Sequence, residues 1–172
     1  MVIEERVDRH ARVIEAGRRM LTAARTAPKA KGVDLLECAL VEGEDLKRIS
    51  DEMVRLYEET GRPVYLRDSA NILKAEAMMV IATHLSPMGL NCGHCGFATC
   101  EEKPQSAPCA VNCVDVGIAI GSAVATAADS RIDCRVMFSA GMAARRLDLL
   151  AGCSQYYCIP LCASSKNPFF DR

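Results

Sequence analysis

The residues of this chain best suited to chemistry are its cysteines. The segment Asn91-Cys92-Gly93-His94-Cys95-Gly96-Phe97-Ala98-Thr99-Cys100 spaces three thiols as C-x2-C-x4-C. Thiolates that close together on a glycine-bearing loop can wrap one side of a compact metal group, and a cubane iron–sulfur (4Fe-4S) cluster takes four of them. Glycines between the ligands permit positive φ and close backbone approach. Backbone N–H groups in such turns can point at cluster sulfur. The fourth ligand must come from farther along. Cys109 follows Cys100 after eight residues and Cys113 after twelve. Cys109 reads as still in the loop beside Pro108. Cys113 reads as the mouth of the next helix, where it is fixed more rigidly. The preferred metal set is therefore Cys92, Cys95, Cys100 and Cys109, with Cys113 the alternative fourth ligand.

Zinc also takes four thiolates, but its fingers and ribbons show paired CxxC knuckles, and this segment has one. A non-enzymatic zinc module is the competing reading. Burial as plain thiols suits Cys38 and Cys134, and also the loosely spaced Cys153, Cys158 and Cys162. His94, between two candidate ligands, is expected to face outward. His84, at a strand end, reads as a structural histidine. Asp115, Asp129 and Asp133 read as caps or ion-pair partners, and Arg131, Arg135, Arg145 and Arg146 as solvated. No Ser-His-Asp set, phosphate loop or HExxH helix is present.

Ten cysteines in 172 residues are more than a chain of this size needs, because it can bury roughly 70% of its unfolded surface without staples. Met1-Val2-Ile3-Glu4-Glu5-Arg6 is charged and has no apolar h-region, so an export signal is not expected. A reducing cytoplasm disfavours five disulfides, and five of the ten cysteines crowd between Cys92 and Cys113. With 21 basic against 22 acidic residues, neither nucleic acid nor an anionic membrane is expected as a partner. The longest apolar stretch, Val114 to Ala128, is broken by Asp115 and reads as too short to span a bilayer.

The cysteine loop must be held by ordinary elements. Helical spacing predicts a helix over 3–25, and Pro28 with Gly32 ends it. A strand is expected at 35–41 and a helix at 44–60, stopped by Gly61 and Pro63. A short helix near 68–75 and a buried strand at 77–83 follow. Residues 86–112 have no period and hold Pro87, Pro104 and Pro108. Helices at 114–130 and 139–150 and a strand at 155–161 complete the chain. This order predicts an α+β sandwich with a small mixed sheet. It forms one domain, 1–172, with 86–113 as an inserted, irregular iron–sulfur loop. In the helix at 114–130, Gly117, Gly121 and Ala125 form a smooth stripe that gains energy only against another backbone, either the first helix or a second copy of the chain.

The segment from Gly89 to Cys100, G-x-N-C-G-x-C-G-x-x-x-C, resembles the small iron–sulfur domain of redox-complex subunits and corrinoid iron–sulfur proteins. The whole chain is similar to the family of uncharacterised bacterial and archaeal proteins described as containing a ferredoxin domain. That similarity includes residues 24–34, 115–123 and 165–172, and it implies a 4Fe-4S cluster. More distantly, Ala23-Ala24-Arg25-Thr26-Ala27-Pro28 before a strand, the small-residue helix and the late strand ending in Ile159-Pro160 resemble the FMN-dependent nitroreductases. This likeness implies a nitroreductase-like sandwich and flavin at a homodimer interface, with Arg25, Lys166 and Arg172 as the implied FMN-binding set. Together the two resemblances imply an iron–sulfur redox protein that serves a redox partner protein, or a flavin-linked oxidoreductase.

Overall fold

A computed structural model describes residues 2–170. The first helix, α1 (Glu5–Thr26), puts Val13, Ala16, Met20 and Ala24 inward. Its outer face carries the one-turn ion pairs Glu5–Arg9, Asp8–Arg12 and Glu15–Arg19. A short 3-10 turn, Ala30–Gly32, leads into strand β1 (Leu36–Val41). Helix α2 (Glu44–Thr60) starts with two acids at its positive end and stops at Gly61, which takes the left-handed φ of +66°. Helix α3 (Pro63–Ile72) follows at once. Pro63, expected with Gly61 to end the helix at 44–60, also begins the next one, because the first turn needs no N–H from it and its φ is already helical.

Strand β2 (Ala77–His84) is the middle of the molecule, buried along its length except at His84. After the cysteine loop come α4 (Ala110–Asp129), the two-residue strand β3 (Asp133–Cys134), α5 (Phe138–Arg146) and β4 (Cys153–Cys162). The strands lie in the order β1-β2-β4-β3. Met78, Val80 and Ala82 of β2 face α2, α3 and α5, while Ala77, Met79 and Ile81 face α1 and α4. With helices on both faces, neither side of β2 is left to carry polar residues, which explains its unbroken apolar run.

The α+β sandwich is as the sequence implied, but the sheet is antiparallel throughout rather than mixed. Two helices lie between β1 and β2, and the chain re-enters the sheet antiparallel to β1. Strand β3 and the 3-10 turn were not foreseen, since elements of two or three residues carry no readable period.

Helix α4 begins four residues before its expected start. Its 20 residues are long and apolar enough, by length and composition, to cross a membrane, which corrects the reading of the shorter Val114–Ala128 stretch. A helix packed in a core has the same composition. Here α4 lies antiparallel to α1 through Val116, Ala119, Ala123 and Ala127, and Ser122 Oγ donates to Ala23 O at 3.0 Å. The glycine stripe is on the other side. Gly117, Gly121 and Ala125 are exposed, and a Cβ added at either glycine would meet nothing within 4 Å. Helix α1 is therefore not the partner of that stripe.

Candidate metal centre

The sheet has two ends. Leu36, Thr83 and Gln155 mark one, and Val41, Met78 and Pro160 the other. The cysteine loop leaves β2 at the first end and returns into α4. Three contacts hold it there. Lys31 Nζ donates to Met88 O at 3.2 Å, and Asn112 Nδ2 to Ser86 O at 2.7 Å. Both carboxylate oxygens of Asp115 accept from the N–H of Ala30, at 3.1 and 3.2 Å. Asp115 thus works as a cap on the 3-10 turn, in the role expected of it.

Within the loop, Asn91 and Cys100 are tied together. The N–H of Cys100 donates to Asn91 Oδ1 at 2.8 Å, and the N–H of Asn91 donates to Cys100 Sγ at 3.4 Å. Between them the chain turns back through Gly93 and Gly96, with the N–H of Gly96 on Gly93 O at 2.9 Å. Both glycines have positive φ, +72° and +87°, which other residues adopt only under strain. The result is a cavity lined by Cys92, Cys95, Cys100 and Cys109 together. Met88, Phe97 and Val111 form its apolar wall, and the free space inside it is small, about 10 Å³. His94 is exposed and outside the lining.

The early start of α4 exchanges the expected places of two thiols. Cys109 is the residue before the first helical one, and Cys113 lies a turn inside. The Cys113 thiol donates back to Cys109 O at 3.2 Å and does not line the cavity. Cys109 is buried, which by itself would push its thiol up. The backbone N–H groups of Met88, Asn112 and Val111 and the charge of Lys103 outweigh burial and hold it below the ordinary thiol range. None of these N–H groups closes a regular capping hydrogen bond on the sulfur, so the effect is that of several weakly aligned dipoles.

As placed, no three His, Cys, Asp or Glu side chains among the described residues close on a single ion. The lining offers four soft sulfur donors beside apolar side chains, with backbone N–H groups lowering the Cys109 thiol, which is the donor chemistry of a thiolate-held metal group.

The remaining thiols sit in the core. Cys158 is fully buried, and desolvation pushes its thiol far up. Burial pushes Cys38 and Cys153 up to about 11 each. His84 bonds to Gly152 O at 3.0 Å and faces Glu37 at 3.5 Å, as a structural histidine would.

The residues implied for FMN are not brought together in one protomer. Arg25 donates to Asp34 at 2.7 Å and to Leu36 O at 2.9 Å, at the cysteine-loop end of the sheet. Lys166 follows β4 at the other end. Strand β2 alone spans roughly 24 Å between those ends, at about 3.4 Å per residue. Arg172 lies outside the described residues. The sequence reading missed Asn91 and Lys103. Asn91 was readable, since asparagine beside a turn commonly bonds backbone, whereas nothing in the sequence marks Lys103 as buried.

Three comparisons bear on this geometry. The sequence profile described as "Uncharacterized protein containing a ferredoxin domain" matches residues 105–172, which include Cys109 but not the C-x2-C-x4-C segment. An uncharacterized protein of Archaeoglobus fulgidus is 35% identical over 182 residues, covering 100% of this chain and 98% of that protein. Among solved structures, a nitroreductase with bound FMN from Bacteroides fragilis superposes with a TM-score of 0.61 at 11% identity, covering 88% of this chain and 77% of that one. A BluB-like flavoprotein from Clostridium difficile gives 0.56 at 17% identity, covering 89% and 81%. At these identities the likeness establishes a shared nitroreductase-like fold.

Proposed function

The chain belongs to the family of uncharacterized proteins containing a ferredoxin domain, and from that premise we propose that it is an iron–sulfur redox protein. In this reading Cys92, Cys95, Cys100 and Cys109 hold a 4Fe-4S cluster, residues 1–172 act as one domain, and 86–113 are its metal loop. The observation that carries the reading is the single cavity lined by all four thiols, with Cys113 turned away from it.

Such a cluster, when bound, supplies one-electron transfer. The chain's own residues hold and tune it. Asn91 fixes the Cys100 backbone, the α4 N-terminus favours Cys109 as thiolate, and Met88, Phe97 and Val111 line the cavity beside the buried Cys109. Zinc would draw four sulfurs to one point at about 2.3 Å each. The cluster is preferred to a zinc module because the segment carries one CxxC knuckle and not the pair that zinc fingers and ribbons use. Exposed Cys92 gives the loop an open edge for a redox partner protein. A cytoplasmic, reducing setting, in which thiols stay available to metal, goes with this reading.

A flavin-linked oxidoreductase is the second reading, favoured by the sandwich and by the unpartnered apolar face of α4. In it two copies pair through Gly117, Gly121 and Ala125, so that Arg25 and Lys166 of different protomers can serve one FMN.

The test is anaerobic purification with iron, sulfide, zinc and flavin measured on one sample, repeated for Cys92→Ser, Cys95→Ser and Cys100→Ser. A brown protein with matched iron and sulfide, lost in each variant, is expected. A colourless zinc protein, or full iron retention in all three variants, overturns the reading.

A further inference from the structure

The sulfur cavity contains one cation. Lys103 is 7% exposed and lines the cavity with the four cysteines. Its Nζ donates to Pro104 O at 3.2 Å and Ala107 O at 2.5 Å. Among the described residues it is in no ion pair with a carboxylate, unlike Lys29 with Asp34 and Lys47 with Asp51. Its sequence neighbours Glu101 and Glu102 are both exposed. An ammonium taken out of water without an opposite charge is strongly disfavoured, and carbonyl dipoles offset only part of that cost. The other ionisable groups in the lining are the thiols of Cys92, Cys95, Cys100 and Cys109. The charge that Lys103 lacks is the charge those thiolates and their metal group bring.

We propose that Lys103 is the built-in counter-cation of the group held by the four cysteines and sets its reduction potential. The inference rests on the iron–sulfur reading above. A 4Fe-4S core with four thiolates is anionic when oxidised and gains one further negative charge on reduction. In a site with low-dielectric walls, a fixed cation stabilises the reduced form more than the oxidised one. One electron passes from an external reductant such as dithionite to the iron core. Lys103 keeps its proton, and no bond to it forms or breaks. Its two carbonyl bonds hold the ammonium in place and close the 103–107 turn behind Cys109.

The experiment uses the full chain, reconstituted anaerobically with iron and sulfide, as native protein, Lys103→Met and Lys103→Arg. Iron, sulfide and visible absorption report cluster content, and a dithionite titration with redox mediators reports the potential. Lys103→Met is expected to weaken reduction by about tenfold, a fall of about 59 mV for one electron. Lys103→Arg, which keeps the charge, is expected to stay near the native value. If Lys103→Met loses the cluster while Lys103→Arg keeps it at the native potential, the charge is still the cause and the proposal stands. An unchanged potential in Lys103→Met overturns the role of Lys103 and leaves the iron–sulfur reading intact. Loss of the cluster from both variants assigns Lys103 to the loop's backbone alone and also overturns the proposal. A native protein that takes up no cluster overturns the iron–sulfur reading and this inference with it.

Discussion

Asn91 and Cys100 hold each other in both directions, side chain to backbone at 2.8 Å and backbone to sulfur at 3.4 Å. The eight-residue arc between them contains Cys92 and Cys95, so this one pair closes the loop around both. Asn91→Ala removes an exposed hydrogen bond worth about 0.5–1.5 kcal/mol. The expected result is a melting temperature about 2–4 °C lower per kcal/mol and a lower iron content, both restored by Asn91→Asp. Calorimetry and iron assay check this. Unchanged values for Asn91→Ala would show that the loop is shaped by its glycines alone.

The choice between the two candidate fourth ligands is also open to direct test. Cys109→Ser is expected to lose most of the bound iron, while Cys113→Ser keeps it, because only Cys109 lines the cavity. Iron per chain after desalting is the measurement. The reverse order would mean that α4 unwinds at its first turn when metal binds.

Stability should depend on pH through the core thiols, with the lowered Cys109 thiol acting in the opposite sense, adding stability as pH rises toward the ordinary thiol range. Burial raises Cys38 and Cys153 from 9.0 to about 11 and raises Cys158 further. A raised thiol pKa means that the folded state holds the proton more tightly than the unfolded state. That contribution is complete below about pH 9 and is lost as pH rises from 9 toward 11 and beyond. The urea midpoint, measured under reductant, is expected to fall across this window, and less steeply in Cys158→Ala. Equal slopes for the two proteins would remove Cys158 as a cause.

Two helix glycines should respond oppositely to alanine. A Cβ at Gly141 would stand 2.1 Å from Tyr156 O, so α5 must be pushed off β4. Gly141→Ala is expected to cost about 1–3 kcal/mol or more. A Cβ at Gly117 meets nothing, so Gly117→Ala should stabilise an isolated chain by about 0.5–1 kcal/mol. If two copies pack through this face, the same change weakens their association instead. Denaturation and light scattering at several protein concentrations separate these outcomes.

The sequence by itself determined the longer elements and the spacing of the loop thiols. Helix α2 was readable to the residue, because Leu46, Ile49, Met53 and Leu56 repeat at helical spacing and Gly61 supplies the stop. Strand β2 was readable because a continuous apolar run of that length must be covered on both faces. The C-x2-C-x4-C segment was readable because local spacing alone brings three thiols together. Only the tertiary structure decided the rest, since each of those features depends on where distant segments meet. The start of α4 depends on Asn112 reaching Ser86 and Asp115 reaching Ala30, and that start puts Cys109 on the cavity and Cys113 off it. The antiparallel pairing of the strands depends on how the connecting segments return the chain to the sheet, which the strands' own residues do not encode. Lys103 reads in the sequence as one more surface charge, and it is the closing of the 103–107 turn that buries it on the cavity lined by four cysteines, where its charge acts on Cys109.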